Sequence, residues 1–204
     1  TEPMEILLAI ALLLTVLWTL KNKAQTERIA LLGTYLGKYK IEKLMETLIQ
    51  GYMRALGEAG DERREQIWRT MHTAELEVAR QFEGFARDFS RLAPEVTRAS
   101  TLPMAHPLAT QILPKASFDV RAVFAVHAQG LLRTAQDEAQ SDKDRAFQMS
   151  AQLLLMQHTC HWFCRSKSTA SVRMQVRHQT SYAQLLAAVS PQTRQAYLAV
   201  LASH

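Results

Sequence analysis

An uncharged run over residues 6–20, opening on Ile6 and closing on Leu20, constrains this chain more than any other feature of it. Only Thr15 and Thr19 interrupt its apolar side chains. Wound as an α-helix the run is about 22 Å long, against roughly 30 Å for the hydrocarbon core of a bilayer. Met4 in front of it and Lys21 and Lys23 behind it, whose long side chains can snorkel to the headgroups, close part of that gap. Trp18 falls where an interfacial aromatic belongs. The pattern predicts a membrane anchor over residues 1–22, ahead of the rival readings as an interfacial helix or a core helix. A cleaved signal peptide fits less well, because Glu2 and Glu5 stand where Lys or Arg should be and no small-residue cleavage site follows. With the lysines on the C-terminal side, the positive-inside rule predicts a single-pass protein of the inner or plasma membrane. Its N-terminus lies outside and the bulk of the chain is cytoplasmic.

The rest of the chain reads as helix. Gly 7 and Pro 6 in 204 residues leave little material for the turns of a sheet protein. Ala, Leu, Gln, Arg and Glu fill the long segments, and no strand-like alternation stands out. The expected fold class is therefore all-α, an N-terminal membrane helix followed by a bundle of about five to six helices. Cys160 and Cys164 sit close together in a chain too large to need a disulfide staple, so a reducing compartment is the expectation.

Residues 23–92 are expected to hold a juxtamembrane stretch and two core helices. The first has Leu44, Met45, Leu48, Ile49, Tyr52, Met53 and Leu56 on a broad apolar face, and the second, running to about Leu92, projects Ile67, Trp68, Met71, Val78, Phe82, Phe85, Phe89 and Leu92 inward. Gly57, Gly60 and Asp61 mark the break between them. Residues 93–117, with Pro94, Pro103, Pro107 and Pro114, show no usable period and read as a long connecting loop; Leu102, Met104, Leu108, Ile112 and Leu113 suit it for docking. Residues 118–204 should complete the bundle. A helix capped by Ser117 or Asp119 comes first, then an apolar-all-round helix over about 144–165. The Ser/Thr stretch 166–171 follows, then a fifth helix to about 189, and a last one opened by Ser190 and Pro191.

Polar side chains inside apolar stripes carry the chemical information, since burial without a partner is costly. Glu75, His127 and His158 occupy such positions on three helices, with His72 and His161 one turn from two of them. If the three helices were neighbours, these groups could converge on a metal, as carboxylates and imidazoles do in metal-binding bundles, or form a hydrogen-bond network that fixes register. His72 and Glu75 are in the reverse order of the Glu-x-x-His of di-iron bundles, and no second copy exists. The stretch 158–164 resembles a metal box, but at 100° per residue its four His and Cys side chains cannot all close on one ion; Cys160 with Cys164, or His161 with Cys164, makes half a site that needs partners from elsewhere. Arg165, Lys167, Arg173 and Arg177 form a basic cluster that reads first as a solvated helix face and could also hold phosphate, anionic lipid headgroups or an acidic partner; without interleaved aromatics it is weak evidence for nucleic acid.

The expected function is a membrane-tethered, non-enzymatic adaptor or scaffold subunit of a larger membrane assembly, with other protein subunits as partners and no cofactor. The competing reading is a small membrane-anchored enzyme that binds a metal or cofactor through the Glu/His site.

Overall fold

The computed structural model describes residues 2–104 and 108–203; the portion of the Pro-rich segment at 105–107, with Pro107, lies outside them. The chain is mostly helical (81%), and the fold class is all-α with one small sheet.

Helix α1 spans Glu2–Leu36, 35 residues and about 52 Å. Its two halves differ. Up to Leu20 it stands clear of the rest of the protein, and Ile6, Leu12 and Trp18 are 59%, 68% and 63% exposed. From Lys21 onward one side is covered, at Lys21, Ala24, Gln25, Arg28, Leu32 and Tyr35, the i, i+3, i+4 spacing of a docked helix face. No break occurs at Gly33; the helix ends before Gly37.

Helix α2 (Ile41–Gly57) and helix α3 (Asp61–Phe89) form an antiparallel pair. The buried stripe of α2 is narrower than its sequence suggests. Leu48, Tyr52 and Ala55 are buried, while Ile49, Met53 and Leu56 face out, because α2 lies at the edge of the bundle with α3 as its principal neighbour. Helix α3 is central, and its Phe82, Phe85 and Phe89 surround Phe124 of helix α6 (Val120–Ala135) at ring distances of 6.0, 5.1 and 5.2 Å, edge to face.

The 93–117 segment is not a plain loop. A turn of helix α4 (Pro94–Thr97) leads into strand β1 (Arg98–Ser100), which pairs antiparallel with β2 (Ser117–Asp119), Ala99 opposite Phe118. A short helix α5 (Ala109–Ile112) lies between them. Three-residue strands are too short for alternation to show in the sequence.

Asp119 caps α6 by accepting from the Arg121 amide at 3.0 Å. Helix α7 (Asp142–Cys164), capped by Ser141, packs against α1, α2 and α6 and against helices α8 (Lys167–His178) and α9 (Tyr182–Ala188). The 166–171 stretch does not precede the fifth helix but opens it: Ser166 is the N-cap, and Ala170 and Met174 bury against α7. That helix then stops at Gln179, whose φ of 50° is left-handed, so the single helix expected to about residue 189 is two. Helix α10 (Pro191–Ala202) starts under a Ser190 cap with Pro191 in its first turn.

Helix α10 approaches α6 closely at Gly130. A Cβ there would stand 2.8 Å from Thr193 Oγ1 and 2.7 Å from Gln152 Oε1, both side chains fully buried. Gly130→Ala is therefore expected to lower stability by about 1–3 kcal/mol in urea melts, although alanine is the better helix former. Unchanged or increased stability would show that α10 is not seated on α6.

Candidate functional site

The junction between α1 and the body is held by two side chains of α1. Arg28 donates from Nη1 to the Phe163 carbonyl at 3.2 Å and from Nη2 to the Arg98 carbonyl at 3.0 Å, with its guanidinium 5.4 Å from the centre of the Phe163 ring. Phe163 lies in the last turn of α7, where carbonyls lack helical donors, so a cation from α1 caps α7 and complements its dipole. One turn earlier, Gln25 Oε1 accepts from Arg165 at 2.7 Å. The first half of α1 is long and apolar enough to cross a membrane or to act as a signal sequence, and it is not a core helix of the body.

Glu75, His127 and His158 are all fully buried, each with its own partners. Glu75 accepts from Tyr52 Oη at 2.7 Å and from Arg145 Nε at 2.8 Å, and His72 Nδ1 lies 3.4 Å away. Burial beside this carboxylate pushes the Tyr52 hydroxyl far above its usual range. Arg145 also reaches Asp142 at 2.6 Å, so the site is an ion-pair network tying α2, α3 and the start of α7 together. His127 Nε2 bonds Thr159 Oγ1 at 2.7 Å, and His158 Nε2 bonds Ser171 Oγ at 3.0 Å. The two rings flank a tyrosine pair: His158 stacks on Tyr182 at 4.6 Å, His127 lies 5.7 Å from Tyr197, and the tyrosine hydroxyls are 3.2 Å apart. Among the described residues no group of three or more His, Cys, Asp and Glu is arranged to hold a metal ion.

His161 and Cys164 face another environment. A cavity of about 330 Å³ opens between α1, α2, α7 and α8, walled by Leu32, Leu36, Met45 and Met156, with Cys160 and Cys164 in its lining. Arg173 donates to His161 Nδ1 at 3.0 Å, which places the ring proton on Nε2. That nitrogen and Gln157 Oε1 are buried in the cavity wall without a partner among the described residues. The cavity can take an apolar body with one polar tip. Burial pushes the Cys164 thiol up to about 11 and Cys160 higher still, so neither is a ready thiolate for metal or nucleophilic chemistry.

The basic cluster divides. Arg165 is held by Gln25 and Arg173 by His161, and the Lys167 ammonium lies 5.3 Å from the Trp162 ring centre and 5.2 Å from that of Tyr182. Arg177 points outward from the far end of α8. Compared with known proteins, the chain matches no family model, no curated sequence and no solved structure.

Sequence reasoning did not find Arg28, Tyr52 or Arg145, whose roles depend on residues 70 or more positions away or on a neighbouring helix. One signal was available: beyond Asp144 the chain has six Lys and Arg and no Asp or Glu.

Two outcomes follow from the buried groups. Glu75→Leu leaves Arg145 buried without its main counter-charge and is expected to cost about 3–5 kcal/mol, read by chemical denaturation; a near-neutral effect would mean the pair is solvated. Burial holds His127 near about 3 and His158 near about 4, below the ordinary 6.5, so the unfolded chain binds more protons between those values. Stability is then complete above pH 6.5 and falls as pH drops toward 4, with a limiting slope of about 1.4 kcal/mol per pH unit for each ring. His127→Gln should flatten the slope in urea titrations at pH 7, 5.5 and 4.5; an unchanged slope contradicts the assignment.

Proposed function

We propose that the chain is a membrane-tethered helical adaptor, a non-enzymatic subunit that holds its body on the cytoplasmic side of a membrane for partner subunits of a larger assembly. One observation carries the reading: α1 is a single uninterrupted helix whose first half is apolar and uncovered and whose second half is docked into the body. A segment destined for removal has no need of such a join, and the covered face begins at Lys21, directly after the apolar run. Lys21 and Lys23 on the body side support the orientation with the N-terminus outside. Ile49, Met53 and Leu56, exposed together on α2, supply an apolar face for a partner.

The enzyme reading has less support, because both oxygens of Glu75 are engaged by Tyr52 and Arg145, and His127 and His158 sit in a separate network.

Leu13→Arg, at the middle of the apolar run, is expected to shift insertion by about 3 kcal/mol, roughly a hundredfold, and to move protein from the membrane pellet to the soluble fraction. Purified from native membranes in mild detergent, the unaltered chain should migrate with other subunits, and protease should reach its body in inverted vesicles only. A monodisperse monomer would contradict the adaptor role, and cleavage in right-side-out vesicles the orientation.

A further inference from the structure

We infer that the membrane-facing end of the body is itself a lipid-binding surface, on which Met104, Ile112 and Leu113 enter the headgroup layer and Lys115, Arg165 and Lys167 engage anionic phosphates. The inference rests on the reading of α1 as a membrane span.

The direction of α1 decides which end of the body faces the bilayer. Gln25 and Arg28 bond Arg165 just after α7, Phe163 in its last turn and Arg98 of β1, whereas Leu32 and Leu36, further from the apolar run, line the cavity that reaches back along α7 through Cys160 to Met156, two turns before Phe163. The end of α7 at Cys164, the beginning of α8 and the segment around β1 and β2 are therefore nearest the membrane. Depth follows from helix geometry. Gln25 lies five residues past Leu20, about 7–8 Å along the axis. The headgroup region of one leaflet is about 5–8 Å thick. With Leu20 at the edge of the hydrocarbon, Arg165, bonded to Gln25, stands among the phosphates.

Residues 98–103 and 117–119 are fixed to this end. Trp162 Nε1 donates to the Ser100 carbonyl at 2.8 Å, and Ser168 donates to the Pro103 carbonyl from its amide at 3.1 Å and its hydroxyl at 2.7 Å. Held there, Met104, Ile112 and Leu113 are 75%, 62% and 49% exposed. Apolar side chains on a turn beside cations form the interfacial insertion pattern, and a soluble surface gains nothing from them.

The charge is complementary to an anionic leaflet. Residues 98–118 and 145–204 contain no Asp or Glu. Among the described residues none of the ion pairs includes Lys115, Arg165 or Lys167. The carboxylates bordering the surface are Glu27, 4.0 Å from Lys23, Asp119 at the end of β2, 2.6 Å from Arg121, and Glu95. Cations near an anionic surface and apolar tips in the interface add, so the body would be held flat against the bilayer and not swing on its anchor.

The test uses the full chain in vesicles of phosphatidylcholine with phosphatidylglycerol, carrying a nitroxide at Met104→Cys, Ile112→Cys, Leu13→Cys or Phe147→Cys, with relative accessibility to oxygen and to a water-soluble nickel chelate as the readout. Phe147, near the start of α7, is 65% exposed at the opposite end of the body. The expected result is lipid-like accessibility at 13, headgroup-level accessibility at 104 and 112, and water-like accessibility at 147. Replacing phosphatidylglycerol by phosphatidylcholine, or Lys115 and Lys167 by Gln, should move the labels at 104 and 112 toward water. Labels at 104 and 112 as wet as the one at 147, with 13 still in lipid, would overturn this inference and leave the anchor intact. A wet label at 13 would overturn the anchor itself. Labels wet in vesicles but shielded in native membranes would assign the surface to a protein subunit and overturn the lipid assignment.

Discussion

Nothing among the described residues covers the first five turns of α1, a helix long and apolar enough to cross a membrane or to act as a signal sequence. Ten of the fifteen residues over 6–20 are Leu, Ile or Val. At the centre of a bilayer such residues contribute about 0.3–0.6 kcal/mol each, roughly 3–6 kcal/mol together. That is enough to favour lipid and too little to tolerate a misplaced charge. On the proposed reading of α1 as a span, a run of about 22 Å leaves Met4, Trp18 and the two lysines to set the depth.

Helix α1 and the body are one mechanical piece. Arg28 joins α1 to the end of α7 and to β1, Gln25 joins it to Arg165, and Tyr35 reaches the aromatic cluster through Phe89 at 5.4 Å. From there Phe89 contacts Phe163 and Phe124, so the same aromatic contacts that build the core of α3, α6 and α7 fix the position of α1. The buried polar groups serve this rigidity. The Glu75–Arg145 pair fixes how α3 and α7 face each other, and the His127 and His158 bonds fix α6 and α8 against α7.

Much of this architecture could be read from residue order, and the failures have physical causes. The long apolar N-terminal helix, the α2–α3 break at Gly57 and Gly60, the Asp119 cap and the Ser190–Pro191 start are local signals, and local signals survive in sequence. The β1–β2 pair joins segments 19 residues apart with strands too short to alternate. The start of α8 looked like a linker because Ser and Thr favour caps and turns, yet burial of Ala170 and Met174 against α7 outweighs that preference. Glu75 announced itself by its place in an apolar stripe; Arg145, its partner, carries no such local signal. The convergence imagined for Glu75, His127 and His158 needed helix phases and neighbours together, and the structure gives each a separate set of bonds.

Alkaline carbonate washing of native membranes, followed by the intact mass of the chain recovered, tests the central claim most directly. Retention in the pellet with residues 6–20 still attached is the predicted result. Release into the wash, or recovery of a chain shortened past Leu20, would contradict it.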